Sequence, residues 1–421
     1  MANSSPEKYY AVLLHGSRVA TLCQRGDHTR FWFAESYLRN PGRHVLGLRF
    51  EQSLTGRYSS TLRLPAWFSN LLPEGPLREW IAQGRDVSIE REMELLAEVG
   101  HDLPGAVQVL PVESADEEAW KDDWISGVPK EEKGESEGSS PWRFSLAGVA
   151  LKFSMLAQGD RLTVPAVNER GDWLVKFPDP RFPHVPRNEY AMMSLAALVG
   201  VDVPQIRLVH RDELTGVPAR MWPTEEVWAY AVRRFDRAED ANRTPIHIED
   251  LAQVKDVYPQ AKYQGNFETV GALIYRGHDL LALREFGRRL AFSIVIGNGD
   301  AHAKNWSLIY RDRRIPTLSP AYDLVATAPY TDFFSERPED LGLKLNGSRR
   351  FEAVRIASFA RLEERIDAAL GWSEAGLADI ARETVRRVSE AWGARDDLLA
   401  DAPGLRKSVT AFIAERAKIL S

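Results

Sequence analysis

The sequence predicts an α+β fold in three parts: an N-terminal α+β unit, a mixed strand-and-helix segment, and a helix-dominated C-terminal half. Three observations predict it. Strand-like alternation and helical apolar spacing share the first 112 residues. Between residues 144 and 236 the order is strand-strand-strand-helix-strand-strand. From Ile248 onward helical spacing dominates, interrupted by one candidate hairpin at 306–318. At roughly 100–200 residues per domain, a chain of 421 residues has room for two or three such parts.

In the first part, Tyr9 to Leu14 alternates into a strand and His15-Gly16-Ser17 supplies a turn. Phe31-Trp32-Phe33 and Leu46 to Phe50 read as further strands, and Trp67 to Ile81 and Ile89 to Val99 as helices. The composition then shifts. Residues 113–143 are acidic and Gly/Ser-rich, centred on Glu131-Glu-Lys-Gly-Glu-Ser-Glu-Gly-Ser-Ser140. Such a segment cannot bury enough surface to offset its ordering entropy, so a flexible linker is expected.

After the linker, Arg143 to Met155 reads as a strand pair and Arg161 to Val164 as a short strand. Trp173 to Phe177 alternates and stops at Pro178, with Trp173, Val175 and Phe177 on one face and Leu174 and Lys176 on the other. Asn188 to Val199 is a helix ending at Gly200; Val203 to Val209 and Val227 to Arg234 are strands. That order is the order of a kinase N-terminal lobe, and the helical remainder, 237–421, is the C-lobe expected with it.

Composition excludes several classes. A net charge of −6 carries no polycation signature for nucleic acid. The single cysteine, Cys23, allows neither an intrachain disulfide nor a cysteine-based zinc site, which suits a reducing cytoplasm. Met1 to Tyr10 is polar and lacks a signal-peptide core. No apolar run approaches the ~18 residues of a membrane span. A cytoplasmic protein without membrane contact is the expectation.

The chemistry is concentrated near residue 300. Leu283, Phe286, Leu290 and Ile294 share one face of a helix over Leu280 to Ile296, and Gly297-Asn298-Gly299 ends it. Asp300, His302, Lys304 and Asn305 follow within six residues. Trp306 to Tyr310 and Ile315 to Leu318 form a hairpin around Arg311-Asp-Arg-Arg314, and Tyr322-Asp323 comes next. Phosphoryl transfer needs this set. One Asp orients the acceptor hydroxyl and takes its proton, an Asn five residues on binds Mg²⁺, and a second Asp beyond a hairpin completes the metal site. Asp300, Asn305 and Asp323 fill those roles. As a general base Asp300 contributes ~10²–10⁴-fold. A helix cap with a polar turn accounts for Gly and Asn here, but not for the Asn interval, the hairpin and the further Asp. Asp-x-His-x-x-Asn also occurs in small-molecule phosphotransferases such as aminoglycoside and choline kinases, so this loop alone leaves the acceptor open.

On the nucleotide side, Lys176 lies on the third strand, where a kinase lysine contacts the α/β-phosphates, and Glu189 in the next helix is its natural partner. Ser145-Leu-Ala-Gly-Val-Ala-Leu-Lys152 stands where a phosphate-covering loop belongs, with one glycine. Arg233-Arg234-Phe235-Asp236 follows the last lobe strand, at a hinge.

With these residues the chain resembles the HipA-family serine/threonine kinases, toxins of bacterial HipBA-type toxin–antitoxin pairs. The resemblance spans nearly the whole chain. It includes Asn70-Leu-Leu-Pro-Glu-Gly75, Leu95-Leu-Ala-Glu-Val-Gly100, Gly105-Ala-Val-Gln108, Ser145 to Lys152, Val175-Lys-Phe-Pro178, Asn188-Glu-Tyr190, Arg234-Phe-Asp-Arg237, His247-Ile-Glu-Asp250, Asp300 to Asn305 and Tyr322-Asp-Leu324. It implies a HipA-like kinase fold: an N-terminal subdomain (1–112), the linker (113–143), an N-lobe with ATP loop and hinge (144–236) and an all-α C-lobe (237–421). It implies Asp300 as the catalytic residue and Asn305 and Asp323 as Mg²⁺ ligands. ATP contacts are implied for Ala147, Gly148, Val149, Ala150, Leu151, Lys152, Lys176, Arg233, Arg234, Phe235, His302, Lys304, Asn305, Tyr322 and Asp323. Ser145 matches the family's autophosphorylated serine. A helix-turn-helix HipB-like antitoxin, and through it operator DNA, are the implied partners. A host protein, such as an aminoacyl-tRNA synthetase, is the implied substrate, with growth arrest or persistence as the outcome. Ala150, Leu151 and Arg233 depart from relatives that often carry Gln, Glu and Glu there. A small-molecule kinase and a pseudokinase corepressor are the competing readings.

Overall fold

Alternating apolar residues with tight turns make the N-terminal part a five-stranded antiparallel sheet. The computed structural model of the chain describes residues 6–84, 86–115, 152–159, 161–163, 170–217, 222–330, 340–395 and 397–420. Strands β1 (Glu7–Leu14), β2 (Ser17–Arg25), β3 (His28–Phe33), β4 (Tyr58–Thr61) and β5 (Val107–Val112) are ordered β4-β3-β2-β1-β5. The turn expected at His15-Gly16-Ser17 joins β1 to β2. One face packs on Phe31, Phe50, Trp67 and Phe68, whose rings meet at 4.9–6.2 Å.

Two local expectations fail here, for tertiary reasons. Leu46 to Phe50 is not a strand. Gly47 is extended, and a helical turn, Leu48–Glu51, starts after it. The Leu48 N–H at this helix start is satisfied from far along the chain, donating to Glu249 Oε1 at 3.0 Å. Trp67 to Ile81 is not one helix. It divides into Ala66–Ser69 and Gly75–Gly84. Pro73 removes a backbone donor, and Gly75 adopts a left-handed φ of 57°, which an uninterrupted helix does not allow. The second predicted helix is present as Glu92–Val99.

The second sheet holds β6 (Lys152–Gln158), β7 (Arg161–Thr163), β8 (Trp173–Lys176), β9 (Ile206–His210), β10 (Leu214–Thr215) and β11 (Trp228–Arg233), ordered β10-β7-β6-β8-β11-β9. The two faces read from the sequence of β8 are the two faces observed. Trp173, Val175 and Phe177 join a core shared with the N-terminal sheet, including Leu71 and Trp67. Leu174 packs on the separate core of the C-terminal half. Lys176 shares the Leu174 side. The helix after β8, Val185–Leu198, begins ahead of Asn188 because Pro186 is tolerated in a first helical turn.

Helices dominate the C-terminal half: Phe267–Tyr275, Leu280–Ile296, Ile356–Leu370, Leu377–Ala394 and Pro403–Leu420. Leu280–Ile296 has the bounds read from its apolar face. Asp279 caps its first turn, accepting from Ala282 N at 3.0 Å, and Gly297 ends it at φ 72°. Strand also enters this half. The predicted hairpin appears as β13 (Ser307–Tyr310) and β14 (Thr317–Leu318), after β12 (His247–Asp250), which adds a third strand beside β13. A further hairpin is β15 (Asp340–Leu345) with β16 (Ser348–Arg350). No described helix is long and apolar enough to cross a membrane.

Buried polar groups fasten the N-terminal part to the rest. Glu249 on β12 is fully buried and accepts from Leu48 N, Trp67 Nε1 at 3.1 Å and the Tyr310 hydroxyl. Burial pushes its carboxyl up to about 7, with these three donors opposing. The folded chain thus keeps a proton that the unfolded chain releases near its ordinary pKa of about 4.3. The resulting stability is complete at low pH and is lost as pH rises through 7. We predict that Glu249 by itself contributes a fall of up to about 3 kcal/mol in unfolding free energy between about pH 5 and pH 8. Glu249→Gln should remove that decline in denaturant titrations; parallel pH profiles for the two proteins would contradict it.

Candidate active site

The three parts of the chain meet around a cavity of about 720 Å³, with Asn70 and Glu74, Lys176, and Asp250, Asp300 and Tyr322 all on its walls. Of the sequence-predicted site residues, Lys176, Glu189, Arg233, Arg234, Phe235, Asp300, His302, Lys304, Asn305, Tyr322 and Asp323 line this one cavity. Ser145, Ala147, Gly148, Val149, Ala150 and Leu151 lie outside the described residues, as does most of the expected linker; Lys152 is described only as the first residue of β6.

Lys176 reaches inward from β8. Its ammonium lies 2.6 Å from Glu189 Oε1 and also touches the Asp323 carboxylate. Lys176 and Glu189 are both buried, so each offsets the other's desolvation. Asp323 holds a left-handed φ of 55°, rare for a residue with a side chain. Such strain persists only where surrounding structure enforces it, and it gathers at functional sites.

The Asp300 loop is built outward from the Gly297 helix cap. Gly299 N donates to Thr327 Oγ1 at 2.7 Å, and Asp300 N to Asn298 Oδ1 at 3.0 Å. Asn305 Nδ2 donates to the Asp300 carbonyl at 2.7 Å, so its Oδ1 is the amide atom with lone pairs to offer. The Asp300 side chain is 47% exposed and accepts from the Tyr263 hydroxyl; His302 Nε2 stands 3.7 Å away. The Tyr263 and His302 rings meet edge to face at 4.9 Å. Burial lowers the His302 pKa to about 4, so it is neutral at neutral pH.

Lys304 is buried and bridges to the N-terminal part. Its Nζ lies 2.7 Å from Glu74 Oε1 and donates to the Asn70 carbonyl at 3.1 Å. Lys262 Nζ donates to Glu74 Oε2 at 2.8 Å. Burial alone would raise the Glu74 carboxyl, but Lys304 and Lys262 together hold it down at about 2. Asp250 faces the same group, and burial raises its carboxyl to about 6 against the pull of Lys304. Tyr322 donates to the Lys304 carbonyl at 2.9 Å and stacks obliquely on Phe235, centroids 5.7 Å apart.

The hinge residues divide. The Arg234 guanidinium is engaged with Asp236 and Asp102, both buried, and with Ser154 Oγ at 3.0 Å. Arg233 is half-buried beside Glu239, 3.5 Å away. Glu74, Lys262, Tyr263 and Asp250 were not singled out as site residues from the sequence. Glu74 and Asp250 had a visible signal, their places in the Asn70–Gly75 and His247–Asp250 motifs; nothing local joins Glu74 to a lysine 188 residues later.

A model of the HipA-like C-terminal domain matches residues 144–392, and a model of the HipA N-terminal domain matches residues 10–110. The chain belongs to the HipA family. It is 40% identical over 393 residues to the Sinorhizobium fredii protein named "Putative kinase Y4dM", covering 91% of each chain. It is 26% identical over 344 residues to the "Serine/threonine-protein kinase toxin HipA" of Shewanella oneidensis, covering 73% of each. The HipA fold is also seen by superposition. The Shewanella oneidensis HipA solved with HipB and operator DNA matches at a TM-score of 0.72 and 20% identity, over 98% of this chain and 97% of that one.

The HipA-family loop at Asp300 has a backbone neighbour that leaves no room. A Cβ placed on Gly342 of β15 would stand 2.8 Å from the Ala301 carbonyl carbon and 2.9 Å from its nitrogen. Gly342→Ala is predicted to cost ~1–3 kcal/mol of stability through displacement of the Asp300 loop, read by denaturant titration. An unchanged unfolding midpoint would show that β15 does not confine this loop.

Proposed function

We propose that the chain is an ATP- and Mg²⁺-dependent serine/threonine protein kinase and the toxin of a bacterial toxin–antitoxin pair. The observation that carries this reading is the convergence of Asp300, Asn305, Asp323 and the Lys176–Glu189 pair on one cavity. Asp300 orients the acceptor hydroxyl and takes its proton as the bond to phosphorus forms. Its half-exposed carboxylate suits a macromolecular acceptor arriving from solvent. Lys176, held by Glu189, binds the nucleotide phosphates. The neutral His302 ring braces Tyr263 against Asp300 without adding charge.

For a magnesium ion the donor set fits: a carboxylate on Asp323 and an amide oxygen on Asn305, both hard oxygen ligands, with phosphate oxygens to complete the shell. The Lys176 ammonium against Asp323 marks that carboxylate as already facing a cation. Bound Mg²⁺ supplies neutralisation of charge on the phosphates.

Ser145 is the proposed autophosphorylation site. A helix-turn-helix antitoxin like HipB is the proposed partner, by analogy with the Shewanella oneidensis HipA complex that includes HipB and operator DNA. The proposed target is a cytoplasmic host protein, an aminoacyl-tRNA synthetase being the family-based candidate, whose phosphorylation stops growth.

The reading is tested by incubating purified protein with Mg²⁺ and γ-labelled ATP in a bacterial lysate. Label should enter Ser145 and a host protein, and Asp300→Asn should cut transfer by at least ~10²-fold with an unchanged unfolding midpoint. Label confined to a metabolite, or equal transfer by the Asp300 variant, rejects it.

A further inference from the structure

We propose that Glu74 of the N-terminal subdomain is a positioning residue of the phosphotransfer site, acting through Lys304 and Lys262. The proposal rests on the kinase reading above. Glu74 sits in the Pro73–Gly75 break between the helices Ala66–Ser69 and Gly75–Gly84, and it lines the cavity. Its two oxygens each hold one ammonium group, Lys304 at 2.7 Å and Lys262 at 2.8 Å. Side-chain exposures are 15%, 5% and 9% for Glu74, Lys304 and Lys262, so water screens these charges little. Lys304 directly precedes Asn305, a proposed metal ligand, and also donates to the Asn70 carbonyl. One segment of the N-terminal subdomain therefore fixes the catalytic loop at a charged side chain.

At this wall two ammonium groups face the Glu74 carboxylate directly, and Asp250 lies near Lys304. Glu74 also restrains where the Lys304 charge goes. Held by Glu74, Lys304 cannot fold onto a triphosphate as the nucleotide binds. It stays as a fixed cation on the wall of the cavity that Asp300 also lines, ready for charge that develops during transfer. Without the Glu74 carboxylate both ammonium groups lose their direct partner, Asp250 stays near Lys304, and an incoming polyanion can take the vacated place. Lys304 would then bind the ground state, which tightens nucleotide binding and slows transfer. A merely structural role predicts the opposite for binding, because a loosened site weakens affinity and turnover together.

The test uses the full chain as wild type, Glu74→Gln, Glu74→Asp and Asp300→Asn. Mg²⁺-ATP affinity is measured by calorimetry and transfer by γ-labelled ATP turnover, with unfolding midpoints for each protein. For Glu74→Gln the expected result is ATP binding at least as tight as wild type, with kcat reduced about 10–100-fold. Glu74→Asp keeps the charge at a shorter reach and should recover part of kcat. Parallel loss of affinity and kcat, or an unchanged kcat, overturns the proposal. If Glu74→Gln does not fold, Glu74→Asp decides: reduced kcat at unchanged affinity supports it, and no change in either overturns it. A wild type that binds ATP but transfers no phosphate removes the kinase reading, and this proposal with it; an active wild type matched by both Glu74 variants removes this proposal alone.

Discussion

The arrangement depends on a buried cluster of two arginines and two aspartates at the seam between the N-terminal sheet and the hinge. Arg234 and Arg237 follow β11; Asp236 lies between them, and Asp102 comes from the other side of the seam. All four are at most 9% exposed. Isolated charges of that kind would be prohibitively desolvated, but here the charges cancel and the lone pairs are filled. Asp236 also accepts from Gly105 N at 2.8 Å, and Arg237 donates to the Gly105 carbonyl at 2.9 Å. Gly105, at φ 76°, lets the chains touch: a Cβ there would stand 2.7 Å from Ile248 N. Removing any one partner leaves an uncompensated buried charge, so the seam has one register. That register brings Glu249 to Trp67 and Glu74 to Lys304, and so assembles the cavity from distant segments.

Within the cavity the charges are arranged in two opposed sets. On one side Lys176 stands between Glu189 and Asp323. On the other, Glu74 stands between Lys262 and Lys304. Each set satisfies itself without a ligand, which explains how so many ionised groups share a low-dielectric space. Asp300, half-exposed and hydrogen-bonded by Tyr263, lies at the open side. A polyanionic ligand with its metal would re-pair these groups: Asp323 from lysine to metal, and Lys176 from Asp323 to phosphate.

Much of this was legible in the sequence because periodicity records which face of an element is buried. The helix Leu280–Ile296, its glycine stop, the two faces of β8 and the hairpin β13–β14 were all readable locally. Lys176, Glu189, Asp300, Asn305 and Asp323 were named from their order along the sequence, and the fold brings them to one cavity. What was missed depends on contacts between remote segments. Leu46 to Phe50 alternates like a strand, yet a carboxylate about 200 residues away caps it as a helix. β12 is too short to show a period and is defined by its pairing with β13. Glu74 and Lys262 carry no local mark of their partnership. Arg234, read from the sequence as a hinge residue, lines the cavity while its guanidinium is occupied at the seam.

The central claim is that Asn305, Asp323 and Lys176 surround one metal-bound nucleotide beside Asp300. A crystal structure with Mg²⁺ and a non-hydrolysable ATP analogue tests it most directly. The account predicts the triphosphate inside the cavity, Asp323 and Asn305 oxygens on the metal at about 2.1 Å, and Lys176 still paired with Glu189 but moved from Asp323 to phosphate. A nucleotide bound elsewhere, or a metal that touches neither residue, would contradict it.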